Sequence, residues 1–263
     1  MSISEIKSQA RDALYSRFFT YLLPLIMLMV ISYVVNSVSS YISGILFYKE
    51  FSRIQEDMAA LEPLLNASQS DFQSVMAISK DVFNIIFVGA DGDSKIVQLI
   101  FMYILISFLI NAFVILPFGV GMNKCMCDLN EDKKLDSSAM IVMFSKNYIS
   151  NVKILALKQL AISFASLFFV LPGIYLHYKW YFVEYIIANN PELSNAEVFE
   201  KNAELMQDKK TQAFMLELSF IGWFILCMLV PLAIIFVAPY YFAARTEFYL
   251  QNDYELNQRE EMV

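Results

Sequence analysis

Hydrophobic positions in this chain come in solid blocks rather than in stripes. Residues 18–47, 96–122, 154–189 and 214–250 are apolar on every side of a helical projection, with short polar stretches between them. A helix at the surface of a soluble domain keeps a polar face, so blocks that are apolar all round point to lipid as the solvent. Each block is longer than the roughly 20 residues that carry a helix across a bilayer. Strands of a membrane barrel would instead alternate over segments of about ten residues. The pattern predicts an all-α, polytopic helical membrane bundle, with residues 1–263 forming a single integral membrane domain.

The last two blocks are too long for one crossing each. Residues 154–189 and 214–249 would reach about 54 Å as straight helices, against a hydrocarbon core of about 30 Å. Each has a breaker near its middle, Leu171-Pro172-Gly173 in one and Pro231 in the other. Proline removes a backbone donor and clashes with the preceding turn, so each block is expected to double back as a hairpin. That gives about six spans, near 18–42, 96–118, 154–171, 173–189, 214–230 and 232–249. Two long kinked helices, giving four spans, are the alternative.

The stretches between blocks carry their own signals. In 1–17, Ser2 and Glu5 have capping-box spacing, and Ile6, Ala10, Ala13 and Leu14 make a narrow apolar face. This predicts an interfacial amphipathic helix, or else a cytosolic extension of the first span. In 190–213, Pro191 stops one helix, and Ser194 with Glu197 repeats the capping box. Val198, Phe199, Ala203, Leu205 and Met206 then form one stripe, predicting a cytoplasmic amphipathic linker. Lysine and arginine cluster in 1–17 and 123–153, whereas 48–95 is acidic. The positive-inside rule therefore puts both termini in the cytoplasm and makes 48–95 an extracytoplasmic loop. Asn66-Ala67-Ser68 fits a glycosylation triplet, a pattern that also occurs by chance.

Composition narrows the chemistry. The chain is 58% hydrophobic and 17% charged, with 19 basic residues and a net charge of −7, a poor match for nucleic acid. Cys125 and Cys127 are too close for easy mutual ligation, and no His or Cys partner set lies near them, so no metal or cofactor is expected. The first block starts at Phe18, runs long and lacks a small-residue cleavage site, and so reads as a retained span. No nucleophile–base pair, zinc-protease motif or phosphate loop is present, and no catalytic residue is assigned.

Charged residues inside the blocks remain to be explained. With the six-span ends, Lys158, Glu184, Glu217 and Arg245 all fall within about 5–8 Å of the cytoplasmic boundary. Two charges of each sign at one depth predict an intramembrane polar cluster, either pinning the hairpins together or lining a shallow inward-facing cavity. Snorkelling of Lys158 and Arg245 to water accounts for the same positions. His177 and Lys179 fall among Tyr175, Tyr178, Trp180 and Tyr181 near the outer end of the fourth span, as interfacial anchors.

The stretch "LPGIYLHYKWYFVEYIIANNPELSNAEVFEKNAELM", with "FMLELSFIGWFIL", "APYYFAARTEFY" and the N-terminal "EIKSQARDAL", resembles a bacterial membrane family catalogued as domain of unknown function 975. The matching positions include Pro172, Gly173, Ile174, Asn190, Pro191, Ser194, Glu197, Gly222 and Trp223. Residues 172–214 are also similar, more distantly, to the membrane domain that precedes some glycerophosphodiester phosphodiesterase domains; the catalytic part is absent here. The resemblance implies several spans, an inner amphipathic linker and a Gram-positive bacterial plasma membrane. No chemistry comes with it.

Three classes of function fit. The first is a non-enzymatic accessory that interacts with the lipid bilayer or another membrane protein, of which immunity to membrane-active peptides is one form. The second is a small transporter or channel component with an inward-facing polar cavity. An intramembrane enzyme is third.

Overall fold

A chain this apolar has no water to satisfy its backbone across a membrane, and helices satisfy it internally. The computed structural model describes residues 2–15, 17–67, 72–84, 96–144 and 147–261, and its regular structure among these is helical. The chain groups into two compact units, Ser32–Asn111 and the combination of Met1–Ile31 with Ala112–Val263.

The unit Ser32–Asn111 contains most of helix α2 (Phe18–Ala67), then α3 (Phe72–Phe83) and α4 (Ile96–Ile110). Phe47 of α2 and Tyr103 of α4 meet edge to face at 6.4 Å. Helix α2 runs for 50 residues without a break. The first part of the 48–95 segment, where apolar and polar residues alternate at helical spacing, continues α2. Its Glu, Met, Ala and Leu residues are strong helix formers, so the fall in hydrophobicity ends the apolar stretch and not the helix. Residues 68–71 and 85–95, and with them the end of the Asn66 triplet, lie outside the described residues.

The other unit holds α1 (Ile3–Tyr15), the start of α2, α5 (Leu116–Asn130), a 3-10 turn (Ser137–Phe144), α6 (Tyr148–Phe168), α7 (Val170–Lys179), α8 (Val183–Asn189), α9 (Asn195–Leu205), α10 (Lys210–Leu218), α11 (Ile221–Leu229) and α12 (Ile234–Glu261). Its core is aromatic. Phe182 packs on Phe248 at 5.3 Å and on Tyr249 at 5.4 Å, and Tyr185 stacks on Tyr249 at 5.2 Å. The apolar stripe of α1 closes this core: Ile6, Ala10 and Leu14 are buried, and α1 packs on α12. Val198 and Leu205 of α9 are buried likewise. Most of both stripes read from the sequence as lipid-facing is thus covered by protein, with Ala203 left exposed. The expected capping box of α9 is present, with Ser194 N donating to Glu197 Oε2 at 2.7 Å and Glu197 N to Ser194 Oγ at 3.4 Å. These hydrogen bonds hold the Glu197 carboxyl below its ordinary value.

Both long tracts double back. The first reverses at Phe169, which is extended (φ −151°, ψ 136°). This is three residues before Pro172, which then sits in the first turn of α7, where its missing N–H costs nothing. Gly173 lets α7 close on α6, because a Cβ there would meet the Ser166 side chain. The second tract reverses at Val230 (φ −128°, ψ 89°), and Pro231–Ala233 form a 3-10 turn into α12.

Four helices among the described residues are long and apolar enough to cross a membrane: Phe18–Ile45, Gln98–Asn130, Tyr148–Phe168 and Lys210–Leu229. Protein covers between 6% and 28% of each apolar window, so most of that surface is left to lipid, and the chain is a helical membrane protein. The return arms do not qualify. α7 stops after ten residues, and Arg245 and Glu247 lie within α12. The reversals behind the six-span expectation are present, and among the described residues four helices have the length and composition to cross a membrane. The hairpins also change character along their length. α6 is largely buried up to Lys158 and largely exposed from Gln159 to Phe168, about 15 Å of helix or half a hydrocarbon core.

Candidate functional site

Lys158 is the last buried residue of α6 before its exposed end. The packed part of this helix is tied to the corner that follows α8: Asn151 Nδ2 donates to the Pro191 carbonyl at 3.0 Å, and Ser150 Oγ to Asn195 Oδ1 at 2.6 Å. So fixed, Lys158 Nζ lies 3.1 Å from Glu184 Oε1 at the start of α8. This ion pair is internal to the first hairpin and its continuation.

The second hairpin has its own pair, with Arg245 Nε of α12 at 3.9 Å from Glu217 Oε1 of α10. Three residues of the first hairpin reach across to it. Tyr178 Oη donates to Glu217 Oε2 at 2.7 Å, and His177 Nε2 lies 3.8 Å from Glu217 Oε1. Arg245 Nε donates to Tyr181 Oη at 3.1 Å, and the guanidinium sits 4.7 Å above the Tyr181 ring. Tyr241 Oη adds a donor to Glu217 Oε1 at 3.2 Å. All four charges read from the sequence therefore share one layer. Each pair closes one hairpin, and tyrosines, rather than exchanged charges, tie the hairpins together. Two cations and two anions leave the layer electrically neutral, which lowers the penalty of holding it away from water.

The sequence puts His177 near the outer end of a spanning helix, as an interfacial anchor. It lies beside Glu217 instead, because α7 is short and ends at an irregular turn over Trp180–Phe182. Asn202, buried on α9, shapes that turn: its Oδ1 accepts from Phe182 N at 3.1 Å and its Nδ2 donates to the Lys179 carbonyl at 2.8 Å. No proline or glycine marks this break, so the sequence carried no local signal for it. Tyr178 was visible as part of an aromatic belt but not as a partner of Glu217, 39 positions on.

Of the motif residues, Pro172, Gly173, Pro191, Ser194 and Glu197 shape the reversals and corners described above. Gly222 has nothing within 4 Å of where a side chain would start, and Trp223 is 44% exposed, with an edge contact on Tyr240 at 6.5 Å. These last two take no part in the charged layer.

A separate crevice of about 550 Å³ opens beside the Trp180 turn, between α9 and the start of α10. Its walls include Lys179, Trp180, Phe199, Asn202, Asp208 and Lys210, and none of the four layered charges.

The family described as "Protein of unknown function (DUF975)" matches residues 1–253. No curated protein and no solved structure matches the chain. The more distant likeness to the membrane domain of glycerophosphodiester phosphodiesterases finds no support in these comparisons.

Proposed function

The chain belongs to the DUF975 family, and from that premise we propose that it is a non-enzymatic accessory of a bacterial plasma membrane, its termini and the 190–213 connector on the cytosolic side. It acts by engaging lipid or a neighbouring membrane protein, and self-protection against membrane-active peptides is one form of this role. The observation that carries the reading is the bareness of the hairpin ends. Leu167, Leu171, Met228 and Leu229 are each between 77% and 83% exposed, above a core packed from α1, α5, α8, α9 and α12. An apolar surface of this kind fits acyl chains or the helix of a partner. The charged layer supports the same reading, since its four charges are matched in pairs and cross-tied, as suits a clasp.

A transporter component is the second reading, favoured by one feature. Glu184 keeps 34% of its side chain exposed while Lys158 keeps 8%, so the layer is open on one side. Purified protein reconstituted into vesicles separates the two. The expected result is proton, ion and solute flux no greater than in empty vesicles. Flux that Glu184→Gln abolishes would replace the accessory reading with the transporter.

A further inference from the structure

Several cations in this structure have a carboxylate close by. Arg17 pairs with Asp132, Lys124 with Asp128, Lys201 with Asp253 and Lys209 with Glu255. Lys179 and Lys210 do not. Among the described residues neither has a carboxylate within 4 Å, and each rests on an aromatic ring: Lys179 Nζ is 5.7 Å from the Trp180 centroid and Lys210 Nζ 5.3 Å from that of Tyr175. Both line the same crevice, with Asp208 as the acidic residue of its wall. Two ammonium groups against one carboxylate leave a site of net charge about +1 that suits a singly charged anion.

What lies below the lysines defines the anion further. Helices α7 and α10 are neighbours, with the Tyr178 and Phe214 rings 5.7 Å apart. They run in opposite chain directions with respect to the hairpin ends, and the lysines stand at the ends nearer the packed core. From there the seam descends past Ile174, Tyr175, Phe214, Leu218 and Ile221, all exposed apolar side chains. From Lys179 to the bare Leu171 is about 12 Å along the helix. A cationic mouth above an apolar seam matches a molecule with a phosphate head and hydrocarbon tails. Basic pockets beside membrane helices hold anionic lipid headgroups by this arrangement, and an indole at the boundary suits the level of the headgroup.

We infer that the crevice of Lys179, Trp180 and Lys210 binds the headgroup of an anionic glycerophospholipid, a monoanionic phosphodiester, with its acyl chains along the α7–α10 seam. The phosphate lies between the two ammonium groups, and Asp208 accepts from headgroup hydroxyls at the mouth. This deepens the lipid-engaging reading given above and rests on it.

The chain has two tryptophans, so a Trp223→Phe background leaves Trp180 as the sole reporter. The full-length protein is placed in phosphatidylcholine vesicles, and phosphatidylglycerol with brominated acyl chains is titrated in. Trp180 fluorescence is expected to quench at low mole fractions of that lipid, with brominated phosphatidylethanolamine and phosphatidylcholine at least about tenfold weaker. The double variant Lys179→Gln/Lys210→Gln is expected to lose the preference. Lys179→Arg/Lys210→Arg keeps it, as does Lys134→Gln/Lys153→Gln, which removes the same charge elsewhere. Equal quenching by the zwitterionic lipids overturns the inference, as does an undiminished preference in the glutamine variant. Displacement by inorganic phosphate would mark a free-anion pocket and overturn it too. If the glutamine variant does not fold, the lipid and phosphate arms on the parent decide. Vesicle flux bears only on the accessory reading, so failure of one is distinguishable from failure of the other.

Discussion

Glu217 accepts hydrogen bonds from Tyr178 and Tyr241 and faces Arg245 and His177, whereas Glu184 has Lys158 as its close partner. This difference makes the Lys158–Glu184 pair the better one to test by exchange, because reversing it disturbs few other groups. Glu184→Lys sets two ammonium groups together with Lys158 largely buried. A cost of about 2–3 kcal/mol is expected, at the low end for breaking a buried pair because Glu184 is a third exposed. Adding Lys158→Glu to that variant restores the attraction with its polarity inverted. Thermal melting of the detergent-solubilised protein is expected to fall in the single variant and recover most of the loss in the double one. Absence of recovery would mean that the two residues do not act on each other.

At the scale of helices, the two hairpins turn on different residues for different reasons. The first needs Gly173, since a methyl group there would meet Ser166 on the opposing arm, while Gly222 inside α11 meets nothing. Gly173→Ala is expected to destabilise by about 1–3 kcal/mol, the usual range for overpacking, and Ser166→Gly to relieve part of it. Gly222→Ala is expected to be neutral or to stabilise by up to about 1 kcal/mol through helix propensity. Melting temperatures of the three variants in one detergent check the order. Helix type, the hairpins and the α9 cap were legible from apolar block length, prolines and the Ser194–Glu197 spacing, because those signals are local. The unbroken continuation of α2 beyond its apolar block was not, since polarity and helix formation part company there. Nor was the break at Trp180–Phe182, which Asn202 shapes from another helix.

For the whole molecule, the blocks alone announced a membrane protein, and counting along the helices brought the four charges together as candidate partners, of which the structure makes two pairs. The tie between those pairs was not legible, because it depends on how α7, α8, α10 and α12 come together and on tyrosines the sequence offered only as a belt. The unpaired lysines of the crevice were invisible for the same reason. Being without a partner is a property of the folded neighbourhood, and Lys209, beside Lys210 in sequence, has Glu255.

The hairpin ends carry one more implication, for how the protein is made. Residues 160–176 and 218–244 contain no acidic, basic or histidine side chain, and each stretch encloses a reversal. A charged residue at the centre of a membrane costs about 2.5–3.5 kcal/mol even during assisted insertion, and here none has to make that journey. Each hairpin is expected to enter from the side on which its two feet remain, and its biogenesis to draw nothing from the electrical gradient. Cell-free synthesis of the full chain into inverted vesicles, with and without an ionophore, is expected to give equal protease protection of these two stretches. A clear drop on depolarisation would mean that something charged is carried across after all.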